Sequence, residues 1–409
     1  MQKPTGFRDY SFEETMERKA IIEKIESIFS KYGFIPMEQP SLEKIDILTA
    51  KSGEAIKDEI FIIKNEDIGL RFDLTIGMAR YIASNRDLIK PIKRYIIGNA
   101  WRNEESQRGR YREFLQADID IIGVKEETAE YEIINCIQEC LDEIGIEAKL
   151  EINNIAFLES FAKKHGLRNK EQVFRILDKH DKMEYNDWID ALKNANAYEE
   201  VKIIIDEYKK KNEEKIAFMS NYDKESSITV SSLINMLNES NIKADINPYL
   251  VRGLDYYTGI IFEFKANNLT IAAGGRYDNL LSIYGQADYA VGGSIGVDRV
   301  WALKKGQGSN EKKIERRDTL YIATFYDTIK QAFDIARTLR KNGIKVDINL
   351  GKRTLSKQLE YASYMGFHYV LIIGKKELEQ GKMKLRDMDN GNEKYIALDE
   401  LIKMLKIKH

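Results

Sequence analysis

Cysteine is almost missing from these 409 residues, at two, and proline is scarce, at five. So little proline, and no low-complexity tract, excludes a disordered or proline-rich chain. Neither sign of charge is in excess, since 64 Lys and Arg stand against 66 Asp and Glu for a net charge of −2. That excludes binding to nucleic acid by bulk charge, but not through a local basic face. No stretch approaches the roughly 20 apolar residues of a membrane span, and residues 1–14 lack the apolar core of a signal peptide. A cytoplasmic protein without membrane contact is expected. Cys136 and Cys140 are spaced i, i+4 inside the amphipathic run 128–144, with no histidine nearby to complete a metal site. They read as core thiols in a reducing compartment. His165, His180, His368 and His409 make no pair at metal-ligand spacing, so zinc chemistry is not expected. No glycine-rich phosphate loop is present either: Gly351-Lys-Arg-Thr354 fails at its third position.

What is there is an ordinary globular composition, 43% hydrophobic and 32% charged, on a chain long enough for two or three domains. Residues 13–32 carry Ile21, Ile22, Ile25, Ile28 and Phe29 at helical spacing, and Gly33 ends the run. Strand-like runs follow at 60–64, 69–74, 93–98, 112–122 and 146–152, and return at 260–265, 269–273 and 291–296. That pattern predicts an α+β fold around an antiparallel sheet. Between them, from about 156 to 242, charged helix-periodic runs replace the strands. They read as a helical insertion splitting one sheet domain, the alternative being a separate domain in series. Residues 304–317 read as a linker. Beyond it strands at 319–325, 345–350, 369–374 and 382–388 alternate with helices at 327–342, 354–365 and 398–407. The expected plan is a sheet domain in two parts (1–155 and 243–303), an insertion (156–242) and a small α/β domain (318–409).

Some segments crowd polar residues where a core is expected. Residues 98–123 hold two strands around a loop with Arg102, Glu104, Gln107 and Arg110. On the return strand, alternation sends Phe114, Gln116, Asp118 and Asp120 to one face. A polar row facing inward is costly unless it meets a polar ligand or partner; a solvated face with ordinary charge pairs is the other reading. Residues 250–259 place Arg252, Asp255, Tyr256 and Tyr257 at a glycine-flanked turn, and the runs 272–278 and 292–299 add Arg276 and Arg299 among glycines. Glycine permits close backbone approach to a ligand, and arginine forks suit phosphate or carboxylate oxygens. Structural turns beside surface arginines are the alternative.

In combination these segments resemble the class II aminoacyl-tRNA synthetases, and among them the histidyl-tRNA synthetase family. Residues 31–43 are similar to motif 1, 98–123 to motif 2 and 292–299 to motif 3, while 252–257 and 273–278 match the two signatures peculiar to the histidyl members. The likeness runs the length of the chain. It implies a class II antiparallel-sheet catalytic domain with a helical insertion, followed by an α/β anticodon-binding domain. It implies a homodimer that activates histidine with ATP and Mg²⁺ to histidyl-adenylate and transfers it to the 3′ end of tRNA(His). Arg102 and Arg252 would hold the α-phosphate as catalytic cations. Glu104, Phe114 and Arg299 would complete the ATP site, with Phe114 and Arg299 on opposite faces of the adenine. Asp73, Thr75 and Gln116 would bind the α-amino group, and Asp120 and Tyr257 the imidazole nitrogens, with Tyr256 beside them. Gln107 would meet the extra 5′ nucleotide of histidine tRNA. Asp73 and Asp120 stand where some members carry Glu, and Trp101 where Phe is common, an archaeal or eukaryotic-like flavour. The nearest alternative is a non-catalytic regulatory subunit of ATP phosphoribosyltransferase, a relative that typically lacks the full arginine set.

The C-terminal pattern carries a test. A 1–317 truncation is expected to form adenylate normally but to charge tRNA with roughly tenfold or more lower kcat/KM, as loss of about 1.4 kcal/mol of tRNA binding would give. Unimpaired charging would show that 319–409 reads no anticodon.

Overall fold

Two ten-residue strands, Ile92–Trp101 and Glu113–Ile122, pair antiparallel as the second and third strands of the larger sheet. The computed structural model describes residues 2–50, 57–103, 111–181, 183–252, 257–306 and 316–406. Glu113–Ile122 is followed across the sheet by Ala290–Gly296, Leu269–Arg276, Ile260–Ala266 and Lys149–Asn154, each antiparallel to the last. The short strands Ile35–Pro36 and Ala244–Ile246 close the two edges in parallel pairing. Helix Thr128–Ile144 lies on one face, where Gly293 makes room for it: a Cβ there would stand 2.7 Å from Ile137 and 2.9 Å from Ile133. Cys136 and Cys140 are free and buried on this helix. Gly145 ends it with φ +80°, a left-handed cap that glycine adopts at little cost.

Six helices, from Ile155–Lys164 to Lys224–Glu239, stand between strands Lys149–Asn154 and Ala244–Ile246. The first starts where Asn154 accepts the Ala156 N–H at 2.9 Å, and the last where Asp223 accepts that of Ser226 at 3.1 Å. Such caps satisfy backbone donors the helix itself leaves open. These helices belong to the same compact unit as the sheet, which spans Met1–Asp9 and Met16–Gln307. Among the described residues no helix is long and apolar enough to cross a membrane.

Two expected strands are corrected. Residues 60–64 contribute only a single bridge, Ile62 to Gly69, and Ile62 is 49% exposed, so no sheet face holds them. The run 69–74 shrinks to Ile68–Leu70, paired with Leu42–Lys44 in a separate two-stranded sheet. The chain turns at Asp73, whose Oδ1 accepts the N–H groups of Thr75 (3.1 Å) and Ile76 (3.0 Å) and starts an unexpected helix, Thr75–Ser84.

The second compact unit comprises Tyr10–Thr15 and Gly308–His409. Its five-stranded sheet runs Lys345–Ile348, Thr319–Thr324, Tyr369–Ile373, Met383–Asp387, Glu393–Ile396, the first three parallel and the last two antiparallel. One apolar cluster joins the sheet to helices Ile329–Lys341 and Leu398–Lys406, and another joins its opposite side to Leu355–Tyr364. Strand Glu393–Ile396 and the short helix Lys375–Glu379 have no counterpart in the sequence reading.

Arg276 closes the first unit. Its Nε and Nη2 each donate to Glu130 on helix Thr128–Ile144 at 2.7 Å, and its remaining donors reach the Val124 and Glu126 carbonyls at 3.1 Å. The fork that the sequence offered to a ligand is thus filled from within. Arg276→Ala strands the buried Glu130 carboxylate and is expected to cost about 3–5 kcal/mol. Burial already pushes the Glu130 carboxyl up, with Arg276 opposing. The loss, read by urea unfolding, should therefore be larger at pH 8 than at pH 5, where protonation of Glu130 relieves it.

Candidate active site

The inward polar row is real, and its neighbours explain how it is tolerated. Across the sheet Gln116, Asp118 and Asp120 face Gly98, Ile96 and Arg94 on one side, and Gly296, Ser294 and Gly292 on the other. Paired residues share a face, so glycine and serine of Ala290–Gly296 flank the row on one side and leave a hollow beside it. Gly292 is required there, because a side chain would strike the Asp120 carboxylate and lie 3.0 Å from the Tyr277 ring. Arg71 covers Gly98, tied down by the Asn99 and Gln39 carbonyls at 2.8 and 2.9 Å.

Asp120 is the best satisfied acid of the row. It forms an ion pair with Arg94 and accepts the Tyr277 hydroxyl, with all three side chains buried. Burial pushes its carboxyl up, and Arg94 and Tyr277 oppose that. Asp118 has only a hydrogen bond from the Ser294 hydroxyl; burial, with Asp120 and Asp73 adding to it against Ser294 and Arg94, raises it to about 7. Ser294 in turn accepts Gln116 Nε2 at 2.8 Å. Asp73, also raised by burial, spends one oxygen on the start of helix Thr75–Ser84 and feels the charges of Arg102 and Arg94.

Four buried acceptors here have no hydrogen-bond donor, Asp73 Oδ2, Gln116 Oε1, Asp118 Oδ1 and Asp120 Oδ2; the last faces Arg94 in the ion pair, whose Nε and Nη1 are in turn buried donors without acceptors. Unsatisfied buried polar atoms are uncommon in folded proteins and call for an explanation. A set of acceptors without donors suits a cationic ligand rich in N–H groups. Thr75 is buried at the helix start beside Asp73, and Tyr257 packs against the apolar cluster that contains Tyr277.

A second group is built from arginines. Arg102, at the end of strand Ile92–Trp101, donates Nε to the Phe72 carbonyl at 3.2 Å and lies 5.1 Å from the Phe114 ring centre. Helix Val297–Gly306, which carries Arg299, is fastened to the Phe114 strand: Asp298 accepts the Leu115 N–H at 2.8 Å and pairs with Arg18 at 2.7 Å. Arg299 donates to the Thr270 carbonyl at 2.7 Å, and the Thr270 hydroxyl donates to Glu263 at 3.2 Å. Glu263 pairs with Arg252 at 2.6 Å. Arg252 has φ +66°, a left-handed conformation that a side-chain-bearing residue adopts at a cost and that is concentrated at functional sites. Phosphate or carboxylate oxygens are what such fixed forks bind.

The structure thus gathers Asp73, Thr75, Gln116 and Asp120 at the acid hollow, with Tyr257 beside Tyr277. It links Arg252 to Arg299, and Arg102 to Phe114. Glu104, Gln107 and Tyr256 lie outside the described residues. Sequence reasoning gave no role to Arg94, Ser294 and Tyr277, because the signal is cross-strand register, which local periodicity does not contain. One group elsewhere, His368, Asp387 and Asp389 in the second unit, has metal-ligand types close together. Asp389 there already lies 2.8 Å from His368 and pairs with Arg317 at 2.9 Å.

Comparison with known proteins extends over almost the whole chain. Residues 6–300 match the family model described as histidyl-tRNA synthetase, and residues 319–408 match the anticodon binding domain. The histidine–tRNA ligase of Pyrococcus furiosus is 33% identical over 428 residues, covering 99% of each chain. That of Nanoarchaeum equitans is 36% identical over 97% of each. The crystal structure of histidyl-tRNA synthetase from Nostoc sp. PCC 7120 superposes with a TM-score of 0.85 at 24% identity, covering 100% of this chain and 99% of that one.

Proposed function

The chain belongs to the histidyl-tRNA synthetase family and carries its activity, joining histidine to tRNA with ATP, and from that premise we propose how its own residues divide the work. The histidine carboxylate attacks the α-phosphorus of ATP, forming histidyl-adenylate and releasing pyrophosphate. The terminal adenosine of tRNA(His) then takes the histidyl group and releases AMP. Both steps develop negative charge on oxygen, so preorganised cations are the main catalysts.

Arg102 and Arg252 clamp the α-phosphate. Phe114 and Arg299 take the two faces of the adenine, with Arg299 also reaching the terminal phosphates. The pairing of Arg252 with Glu263 supports this, since it aims the fork while the backbone is held in a left-handed turn. Glu104 belongs to the same ATP site by the resemblance. Mg²⁺ would accompany ATP as part of the substrate and would neutralise charge on its phosphates. Glu263 is held by Arg252, Thr270 and Lys265 within the framework of this group.

The observation that carries the amino-acid half is the set of buried acceptors without donors. Asp73 Oδ2 and Gln116 Oε1 receive the substrate α-ammonium, with the Thr75 hydroxyl beside them. Asp120, ion-paired with Arg94, and Tyr257 address the two imidazole nitrogens, with Tyr256 next to Tyr257. A pocket built to hydrogen-bond both nitrogens rejects isosteric side chains strongly, because a wrong one leaves buried polar groups unpaired.

Around this centre Gln107 approaches the 5′ end of tRNA(His), and residues 319–408 read its anticodon. The exposed strand Ile35–Pro36 at the sheet edge, with Ile35 69% exposed, fits a homodimer contact through the motif 1 segment. A cytoplasmic location accords with two free, buried thiols. The non-catalytic alternative loses support from the three arginines and from the matched anticodon domain.

Arg252→Ala tests the phosphate half. Histidine-dependent ATP–pyrophosphate exchange should fall by about 10²–10³, as for loss of one preorganised oxyanion donor, while calorimetry still finds histidine bound. Exchange at the wild-type rate contradicts the assignment.

A further inference from the structure

Asp118 stands between the two acids already given work and has none of its own. Alternation places it on the same face, midway between Gln116 and Asp120. Its neighbours across the sheet are Ile96 and Ser294. It is 4% exposed, Oδ1 has no hydrogen-bond donor, and the Arg94 guanidinium, whose charge it feels, is paired with Asp120 instead. A fold does not gain from burying a carboxylate in this way, since desolvation is costly without a partner. An asparagine here would keep the bond from Ser294 and avoid the charge. The acid is explained if the missing donor arrives with the substrate.

We propose that Asp118 Oδ1 accepts a hydrogen bond from the substrate α-ammonium, so that Asp73, Gln116 and Asp118 meet its three N–H donors one for one. The inference rests on the placement of histidine in the acid hollow proposed above. An ammonium offers three donors and no acceptor, which matches the three orphan acceptors left once Asp120 Oδ2 is set aside as the ion-pair partner of Arg94. The Thr75 hydroxyl, both donor and acceptor, then shares one of these protons. Asp118 is thereby a binding residue that adds a second negative charge to the ammonium site and ties histidine binding to pH. The charged groups facing it are Arg94 from the strand beside it, Asp73 and Arg71 from the segment before helix Thr75–Ser84, and Asp120 from its own strand. Ser294, on the strand at its other side, contributes only a hydroxyl. With burial holding the free carboxyl near 7, the empty site is partly protonated at neutral pH, and the ammonium displaces that proton.

The sign follows from linkage. A carboxyl raised in the folded protein stabilises it least above its folded pKa. Removing its charge should therefore leave the ligand-free fold at least as stable at pH 8, while histidine binding suffers. The test measures histidine affinity by calorimetry from pH 6 to 8 on full-length wild type and Asp118→Asn, with Tm for each in the absence of ligand. Expected is a histidine Kd raised roughly tenfold or more at pH 8, as for a lost charge-assisted bond, with Tm equal to or above wild type. Because the same ligand is used throughout, its own imidazole titration cancels when the two pH profiles are compared, and the wild-type profile should be the steeper. The wild type alone gives a second readout that needs no variant: at pH 7, binding should release roughly half a proton beyond the imidazole's own share, seen in buffers of different ionisation enthalpy. Asp118→Asn binding within about twofold of wild type at every pH overturns the proposal, and so does the absence of that proton release. A variant whose ligand-free Tm falls well below wild type marks Asp118 as structural and overturns it too. Wild type that binds no histidine overturns both this inference and the reading it rests on, whereas the variant results separate the two.

Discussion

Asp73, Asp118 and Asp120 are buried in one hollow of the large sheet, and a single ion pair, Arg94 with Asp120, compensates only one of them. Isolated carboxylates removed from water cost several kcal/mol each unless paired or protonated. Much of the surrounding structure can be understood as meeting that cost. Glycine and serine replace larger residues on the neighbouring strand, Tyr277 donates to Asp120, and the start of helix Thr75–Ser84 donates to Asp73. What these devices leave unmet is a set of acceptors that a cationic amino acid can satisfy. Buried acceptors left unmet cost stability, a common arrangement at sites where function and stability compete.

The arginine group follows a complementary logic. Here the cations are held ready by partners that are themselves part of the framework: Glu263 for Arg252, Thr270 for Arg299, Phe114 and the Phe72 carbonyl for Arg102. Preorganisation of this kind removes reorganisation from the reaction step, where it counts most. The two groups meet along one strand, Glu113–Ile122, whose start carries Phe114 and whose middle carries Gln116, Asp118 and Asp120. One strand therefore carries residues of both groups, and the bond from the Leu115 N–H to Asp298 keeps the Arg299 helix in register with it.

Much of this was legible in residue types and spacing. The polar row was visible because strand alternation has a period of two, and a run such as Phe114, Gln116, Asp118, Asp120 stands out against apolar neighbours. The alternating C-terminal strands and helices, and the amphipathic Thr128–Ile144, were visible for the same reason at their own periods. The failures have physical causes. Arg94, Ser294 and Tyr277 reach the hollow through register between strands distant in sequence. Arg276 looked like a ligand fork because nothing local reveals Glu130 as its partner. The run 69–74 alternates like a strand, yet Asp73 turns it into a helix by bonding two backbone N–H groups, a choice that only the following residues' packing explains.

The central claim is that this acid hollow and the arginine group together select histidine for activation. The most direct measurement is ATP–pyrophosphate exchange by the full-length protein with each of the twenty amino acids in turn. Histidine alone should support exchange. Exchange with a different amino acid at a comparable rate, or with none, would contradict the account.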